Sequence, residues 1–306
     1  MNSLIFFINN PRKLFSAILR KYFQWIPDEI FLRILFRLQM KERLHLKHPV
    51  TFNEKLQWIK LYDRRAEYVR MVDKYAVKDY VSNIIGKEYV IPTLGVWNRP
   101  EDIEWDILPN KFVLKTTHGG GSAGVVICTD KSTFDKVHAI ALLNKGLQQD
   151  IYRSSREWPY KNVPRRIIAE KFIQPSKGQD ELMDYKFFCF DGKVKVMYIA
   201  TNRQKKNGED VKFDFFDEDF NHLPFRQCHD NATVVPQKPK SFDEMKRLAA
   251  AISKGLPQVR IDFYEVDGHP IFGEITLFHA SGWYAFTPRK YDEIMGSMIS
   301  LPVNNQ

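Results

Sequence analysis

The chain opens with basic and large apolar positions interleaved at helical spacing. Arg12, Lys13, Leu14, Phe15, Ile18, Leu19, Arg20, Lys21, Tyr22, Phe23 and Trp25 predict an amphipathic helix over residues 12–26. Helical patterning runs on to residue 80. Within it, Thr51-Phe-Asn-Glu54 predicts a capping box, with Thr51 at the N-cap and Glu54 reaching back. The stripe Leu56, Ile59, Lys60 (by its stem) and Tyr62 follows. A further helix is predicted over residues 66–82, burying Tyr68, Met71, Val72, Tyr75 and Val81. From residue 88 the pattern changes to short β-runs at 89–91, 111–115 and 125–129. A helix is then predicted over 132–148, starting at Ser132 or Thr133 and burying Phe134, Val137, Ile140 and Leu143.

Hairpins dominate the second half. Residues 184–190 and 193–200 flank Asp191-Gly192, and residues 259–266 and 270–277 flank Asp267-Gly268, both strong turn signals. Between the hairpins, residues 241–254 predict a helix with Phe242, Met245, Leu248 and Ile252 inward. Residues 201–240 are polar and irregular, and read as a loop region over a site. There is no internal repeat and no low-complexity tract.

Composition narrows the class. A chain of 306 residues, 44% apolar and 27% charged, suits a soluble globular protein with room for two cores. Cys128, Cys189 and Cys228 are too few and too scattered for a disulfide framework or a thiolate zinc site, and a reducing cytoplasm fits. The net charge of +9 is uneven: residues 1–50 hold nine Lys/Arg against three acids, leaving only +3 for the rest. Charge confined to one end, without a recognition motif, argues against nucleic acid as a partner. The longest apolar run of that end, residues 4–8, is far below the roughly 18–20 residues of a spanning helix, and no cleavage signal follows it. Residues 1–40 therefore read either as a helix packed on the body, the preferred reading, or as a peripheral contact with an anionic membrane.

The densest chemistry lies at residues 111–127. A β-run bearing Lys115 breaks into a loop with Gly119, Gly120, Gly121, Ser122 and Gly124, and resumes as a second β-run. Glycines let backbone N–H groups approach phosphate oxygens, and a lysine at the base adds charge. The loop lacks the Gly-Lys-Ser/Thr of a Walker motif. Its Gly119/Gly121/Gly124 spacing matches the dinucleotide fingerprint, but a strand follows where a helix is required. Kinase landmarks are missing, and an esterase nucleophile at Ser122 would again need a following helix. The favoured reading is a nucleotide-triphosphate clamp, with a plain glycine hairpin as the bland alternative.

Other residues complete such a site. Glu170 and Lys171 interrupt the apolar run 167–173, where charges are costly without a ligand or partner. Lys186 shares a strand face with Asp184 and Phe188. In the last hairpin, Arg260, Asp262 and Tyr264 share one face, as do Phe272, Glu274 and Thr276. A three-residue loop at 267–269 would pair 264 with 272 and 262 with 274. Two opposed carboxylates repel unless a cation lies between them, and hard oxygens suit Mg²⁺. Pairing of each with an arginine such as Arg260 is the alternative.

The order of these features resembles the ATP-grasp superfamily. More closely, Phe52-Asn-Glu-Lys-Leu-Gln-Trp58, Val72-Asp-Lys-Tyr-Ala76, Lys115-Thr-Thr-His-Gly-Gly-Gly121, Asp184-Tyr-Lys-Phe-Phe188 and Phe272-Gly-Glu-Ile-Thr276 resemble the TupA-like ATP-grasp proteins of capsule and teichuronopeptide gene clusters. The similarity covers roughly residues 45–290; Thr276 departs from the asparagine found in many ATP-grasp enzymes. The resemblance implies an α+β ATP-grasp fold, with nucleotide between two α+β subdomains and a helical segment ahead of them. The divisions implied are 1–50, 51–173 and 174–306. ATP would lie under the flap, which includes His118. Lys115 and Lys186 would hold phosphates, and Glu170, Lys171, Phe172 and Ile173 the adenine. Asp180 or Glu181 would meet the ribose, and Asp262, Glu274 and Thr276 would hold Mg²⁺. A substrate carboxylate would attack the γ-phosphate, with Arg260 and Arg203 stabilising the acyl phosphate that an amine then captures. The implied substrates are a carboxylate-bearing saccharide and an amine. Rival readings are a glycosyltransferase, resting on Asp217-Glu-Asp219, and a non-catalytic membrane-associated scaffold.

Overall fold

A computed structural model describes residues 10–121, 123–178, 181–203 and 210–302. Two antiparallel sheets organise it. The smaller has the order β1-β4-β2-β3, with β1 Thr93–Trp97, β2 Phe112–Thr116, β3 Val125–Cys128 and β4 Ile167–Lys171. The larger has the order β10-β9-β5-β6-β7-β8, with β5 Asp184–Phe190, β6 Lys193–Thr201, β7 Lys212–Asp217, β8 His222–Leu223, β9 Val259–Val266 and β10 His269–Thr276.

The helices divide between two cores. Helices α1 Pro11–Tyr22, α2 Asp28–Met40, α3 Phe52–Tyr62, α4 Glu67–Val72 and α5 Ala76–Ile85 contribute Leu19, Phe31, Phe52, Tyr68 and Val81 to one core. That core is shared with Phe187, Met197 and Phe263 of the larger sheet. The smaller sheet packs separately on α6 Lys136–Leu147, through Phe112, Leu114, Ala139 and Leu143. The capping box forms as expected: Thr51 accepts from the Glu54 amide at 3.2 Å, and Glu54 accepts from the Thr51 amide at 3.1 Å. Phe242, Met245, Leu248 and Ile252 are buried on a helix over Phe242–Ile252, also as expected.

Several expectations are corrected. The helix over 66–82 splits at residues 73–75, because the Asp73 carboxylate caps the Tyr75 amide at 2.9 Å and the Lys74 amide donates to Thr117 O at 3.0 Å. Tyr75 is exposed rather than buried. Residues 87–89 form a single tight 3₁₀ turn, and the strand comes later, at β1. Helix α6 starts at Lys136, capped by Asp135; Ser132 instead closes a turn on Asp130, and Val137 is 80% exposed. The region 201–240 contains β7 and β8, whose Phe215 and Phe216 are buried.

The last hairpin is corrected in an instructive way. Its loop is the two residues Asp267-Gly268, so Val266 faces His269 and Tyr264 faces Ile271. That register would put residue 273 opposite Asp262. A bulge between Phe272 and Glu274 inserts one residue and restores the pairing of Glu274 with Asp262. The inserted residue is Gly273, where a Cβ would sit 3.1 Å from Asp262 O and 3.3 Å from Tyr264 Cε2.

Candidate active site

On the smaller sheet, Lys115 of β2 and Glu170 of β4 lie diagonally across paired strands. Lys115 Nζ is 2.7 Å from Glu170 Oε2. Lys78, from α5, reaches Glu170 Oε1 at 2.6 Å and the Ile91 carbonyl at 2.6 Å. Burial disfavours the charge of Glu170, but the two lysines outweigh it and lower its pKa. Burial likewise opposes the charge of Lys115; Glu170, Tyr264 and Glu274 overcome it and raise its pKa. Tyr264 and Glu274 belong to the larger sheet, so the two sheets act on one another electrostatically here. Burial keeps the pKa of Lys78 below the ordinary lysine value despite Glu170. Lys74, at the break between α4 and α5, donates to the Gly119 carbonyl, and burial lowers its pKa as well.

The larger sheet builds its side from register. Tyr198, Lys186, Asp262 and Glu274 face one another across β6, β5, β9 and β10. Lys186 Nζ bonds Asp262 and lies 2.7 Å from Asp184 Oδ2. Arg260 grips Asp262 with two hydrogen bonds of 2.7 Å and reaches Glu274 Oε1 at 3.1 Å. Arg203 closes on Asp184. Burial works against the charges of Lys186 and Arg260, yet the carboxylates hold both above their ordinary values. The guanidinium thus occupies the position between the opposed carboxylates that the sequence left open to a cation.

The donor chemistry still fits a hard divalent ion. No group of three or more metal-type side chains occurs among the described residues, so a metal here would draw on a carboxylate pair. Mg²⁺ commonly binds in this way, through one or two carboxylates with water and substrate phosphate completing its shell. The Glu274 side chain is 46% exposed, and Thr276 Oγ1 lies 3.4 Å from its Oε1.

The flap between β2 and β3 uses its glycines for two purposes. A Cβ on Gly119 would meet Thr116 Oγ1 at 2.4 Å, and one on Gly124 would meet the same atom at 2.7 Å. These two glycines let the loop ends fold onto the strand. Gly121 has φ +65° and open space around it, and Gly120 meets only Ile151 Cδ1 at 3.1 Å. His118 is buried, which lowers its pKa and keeps it neutral. Ser122 and Asp180 lie outside the described residues. Glu181 accepts from the amides of Asn202 and Arg203 at 2.8 and 3.1 Å. Lys171 is exposed at the end of β4, its amide bonded to the Pro92 carbonyl at 3.1 Å, and Phe172 and Ile173 follow half-buried.

Lys78 and His279 carried no distinctive sequence signal, and Lys74 lay in the Val72–Ala76 motif with no role assigned to it. Lys74 and Lys78 sit four apart, as solvent-facing lysines of a helix often do, and only the break at 73–75 and the packing of α5 bring them to the sheet. His279 accepts from Arg260 Nη1 at 2.8 Å and follows the last strand in an otherwise ordinary stretch.

Opposed antiparallel sheets, a glycine flap, and lysines and carboxylates on both sheets are the features of the ATP-grasp fold. The family described as TupA-like ATPgrasp matches residues 54–300, and the chain belongs to it. Solved structures similar to it include D-alanine–D-alanine ligase from Bacillus anthracis in complex with ATP. There identity is 16% and the TM-score 0.39, covering 68% of this chain and 53% of that one. The ligase of the same name from Helicobacter pylori gives 16% identity and a TM-score of 0.45, covering 83% and 67%. The ADP complex of the purK N5-carboxyaminoimidazole ribonucleotide synthetase gives 13% identity and 0.40, covering 68% and 45%. The chain thus spans about half the length of the Bacillus anthracis enzyme. No curated protein matches the sequence.

Proposed function

We propose that this protein is an ATP-dependent carboxylate–amine ligase that joins an amine to a carboxylate-bearing saccharide in the synthesis of a cell-surface polysaccharide. The observation that carries the chemistry is the electrostatic reach of Glu274, on the larger sheet, to Lys115 and Lys74 on the flap side. Lys115, Lys186 and the flap amides hold the phosphates, and the segment Glu170–Ile173 borders the adenine. Because the Glu170 carboxylate is taken by two lysines, the backbone of Phe172 and Ile173 is the part left to meet the base. Asp262 and Glu274, with Thr276 beside them, would hold Mg²⁺, which when bound neutralises phosphate charge. A substrate carboxylate oxygen attacks the γ-phosphorus, the bond to the β-phosphate oxygen breaks, and ADP leaves. Arg260 and Arg203 offer guanidinium forks to the acyl phosphate. The deprotonated amine then attacks the acyl carbon, and the C–O bond to phosphate breaks to leave an amide and inorganic phosphate. The flap belongs to the smaller sheet and the proposed metal hairpin to the larger. The family resemblance supports the polysaccharide setting.

The glycosyltransferase reading has less support. Asp217 accepts from the Asp219 and Asn221 amides at 2.9 and 2.8 Å, and Glu218 pairs with Lys195 at 2.6 Å, so this acidic run closes its own turn. Titration with Mg-ATP and with UDP-sugars separates the two, and product analysis with uronic acids and amino acids follows. Binding of a UDP-sugar without ATP would overturn the ligase.

The N-terminal helices support a peripheral site on the inner face of the membrane. No helix among the described residues is long and apolar enough to cross a bilayer. Helix α1 buries Ser16 and Leu19 and turns Leu14, Phe15 and Tyr22 outward, while Trp25 beyond it is 78% exposed. Exposed Arg12, Lys13 and Lys21 flank this apolar stripe, a composition that suits anionic lipid. Co-sedimentation with phosphatidylserine vesicles, lost in Phe15→Ser/Trp25→Ser, is the expected result. No pelleting of the wild type would overturn it.

A further inference from the structure

The sheet face that carries Lys186 and Asp262 does not end with them. Strand pairing puts Tyr198 and Phe213 on the same face, and their rings lie 4.6 Å apart. Phe213 in turn meets the His229 ring at 4.5 Å. At His229 opens a cavity of about 550 Å³, lined among others by Asp210, Lys212, Arg226, Gln227 and Asp230. That volume lies within the range of small-molecule sites.

This cavity is hydrogen-bonded to the carboxylate pair. Arg260 Nη1 donates to His279 Nδ1 at 2.8 Å, and His279 Nε2 is 2.9 Å from Gln227 Oε1. Burial, with the charges of Arg260 and Lys186, holds His279 well below the ordinary imidazole value, so it is neutral. With Nδ1 accepting, its proton is assigned to Nε2 and donated to Gln227. The Gln227 amide is spent on the Tyr284 carbonyl at 3.0 Å. One wall of the cavity is therefore tied to the guanidinium that bridges Asp262 and Glu274.

That wall is also strained. His229 N donates to Gln227 O at 2.7 Å around Cys228, which has φ +66°. A three-residue turn through positive φ at a non-glycine residue is uncommon, and such strain concentrates at functional sites. Reciprocal 2.9 Å backbone bonds between Arg226 and Thr287 fix the turn to the opposite wall.

We propose that the cavity is the amine-acceptor subsite of the active site and takes a small zwitterion, an α-amino acid. This rests on the ligase reading above. Lys212 and Arg226 offer cations to a carboxylate, and Asp210 and Asp230 offer oxygens to an ammonium. Two charges of each sign make the lining balanced, unlike a phosphate site. The Arg226–Asp230 pair, 2.8 Å long, is more than half exposed on both sides, so opening it for a ligand costs little.

The test is direct binding to the full chain with ADP and Mg²⁺ present, by calorimetry, using the common L-amino acids with their N-acetyl and amide derivatives. At least one amino acid should bind, with both derivatives weaker by about tenfold, as expected for loss of one charge-assisted contact. Arg226→Gln and Asp230→Asn should each weaken the amino acid by about tenfold while ADP affinity stays level. Binding by no amino acid, equal binding of the derivatives, or binding indifferent to both variants would overturn the proposal. So would variants that weaken glucuronic acid instead. Amine-dependent ADP release in the wild type is measured separately. Its absence alongside intact amino-acid binding removes the ligase reading, and with it the acceptor role, and leaves an amino-acid site. Its presence, unmoved by both variants, removes the subsite but not the ligase.

Discussion

The two sheets solve the same problem, a buried carboxylate held by cations, with different charge balances. At the smaller sheet, Lys78 and Lys115 pair with one carboxylate, Glu170, and Lys74 stands on the Gly119 carbonyl of the flap, while neighbouring Asp73 is taken by Arg166 at 2.8 Å. On the larger sheet, Lys186, Arg203 and Arg260 meet Asp184, Asp262 and Glu274, three against three. The first side has surplus positive charge, two of whose lysines are depressed by burial. The second is balanced, and its Lys186, Arg203 and Arg260 are pushed up. A polyphosphate would relieve the first side, whereas a cation on the second would have to share Asp262 and Glu274 with Arg260. On the function proposed above, phosphate binding falls mainly to the flap side, and the charge pairs of the other side mainly hold the fold together.

Breaking the balanced side should have the largest effect. Lys186→Met leaves Asp184 and Asp262 buried beside each other with one counter-charge fewer. A loss of about 3–5 kcal/mol is expected from the urea midpoint; a loss under 1 kcal/mol would mean that Arg260 and Arg203 suffice. Next comes Lys115→Ala, which should weaken ATP by about ten- to a hundredfold in equilibrium titration while Lys78 keeps Glu170 paired. Unchanged ATP affinity would remove the phosphate role of the flap side.

Lys74→Met probes the surplus more finely. The folded pKa of Lys74 lies below its unfolded value, so the unfolded chain binds this proton more tightly. Its contribution to stability is therefore present at high pH and lost as pH falls through the depressed value. The variant should flatten the rise of the unfolding midpoint from neutral pH toward the lysine range. It should also weaken ATP by about tenfold. A parallel pH slope in both proteins would count against burial as the cause. The smallest effect is expected from Gly121→Ala, about 1 kcal/mol for φ +65° in open space. Gly119→Ala, which drives a methyl into Thr116, should cost more in the same thermal melt.

Much of this site could be read in advance where chemistry is local. The Gly119–Gly124 loop, the strand alternation of Lys186 with Asp184 and the turn signals at 191–192 and 267–268 all depend on neighbours along the chain. The pairing of Asp262 with Glu274 was reached through the wrong loop length, and the unforeseen bulge at Gly273 restored it. A bulge depends on how closely Tyr264 and the Asp262 backbone approach, which no periodicity records. Val137 illustrates the opposite failure: an apolar residue at an expected core position faces solvent on α6, which begins at Lys136 and not at Ser132 or Thr133.

The linear order of residues sufficed for the class of fold, the flap, the row of lysine and carboxylates on strands, and the cap of α3. Each follows from backbone preference, side-chain alternation or a motif spanning a few residues. Folding in three dimensions settled which charges meet. Lys74 and Lys78 reach the smaller sheet only because the helix breaks at Asp73. Arg260 fills the gap between two carboxylates only because a bulge aligns them, and His279 joins Arg260 to Gln227 from a separate loop. Coulomb and hydrogen-bond energies depend on distances through space, and separation along the chain carries little information about those distances.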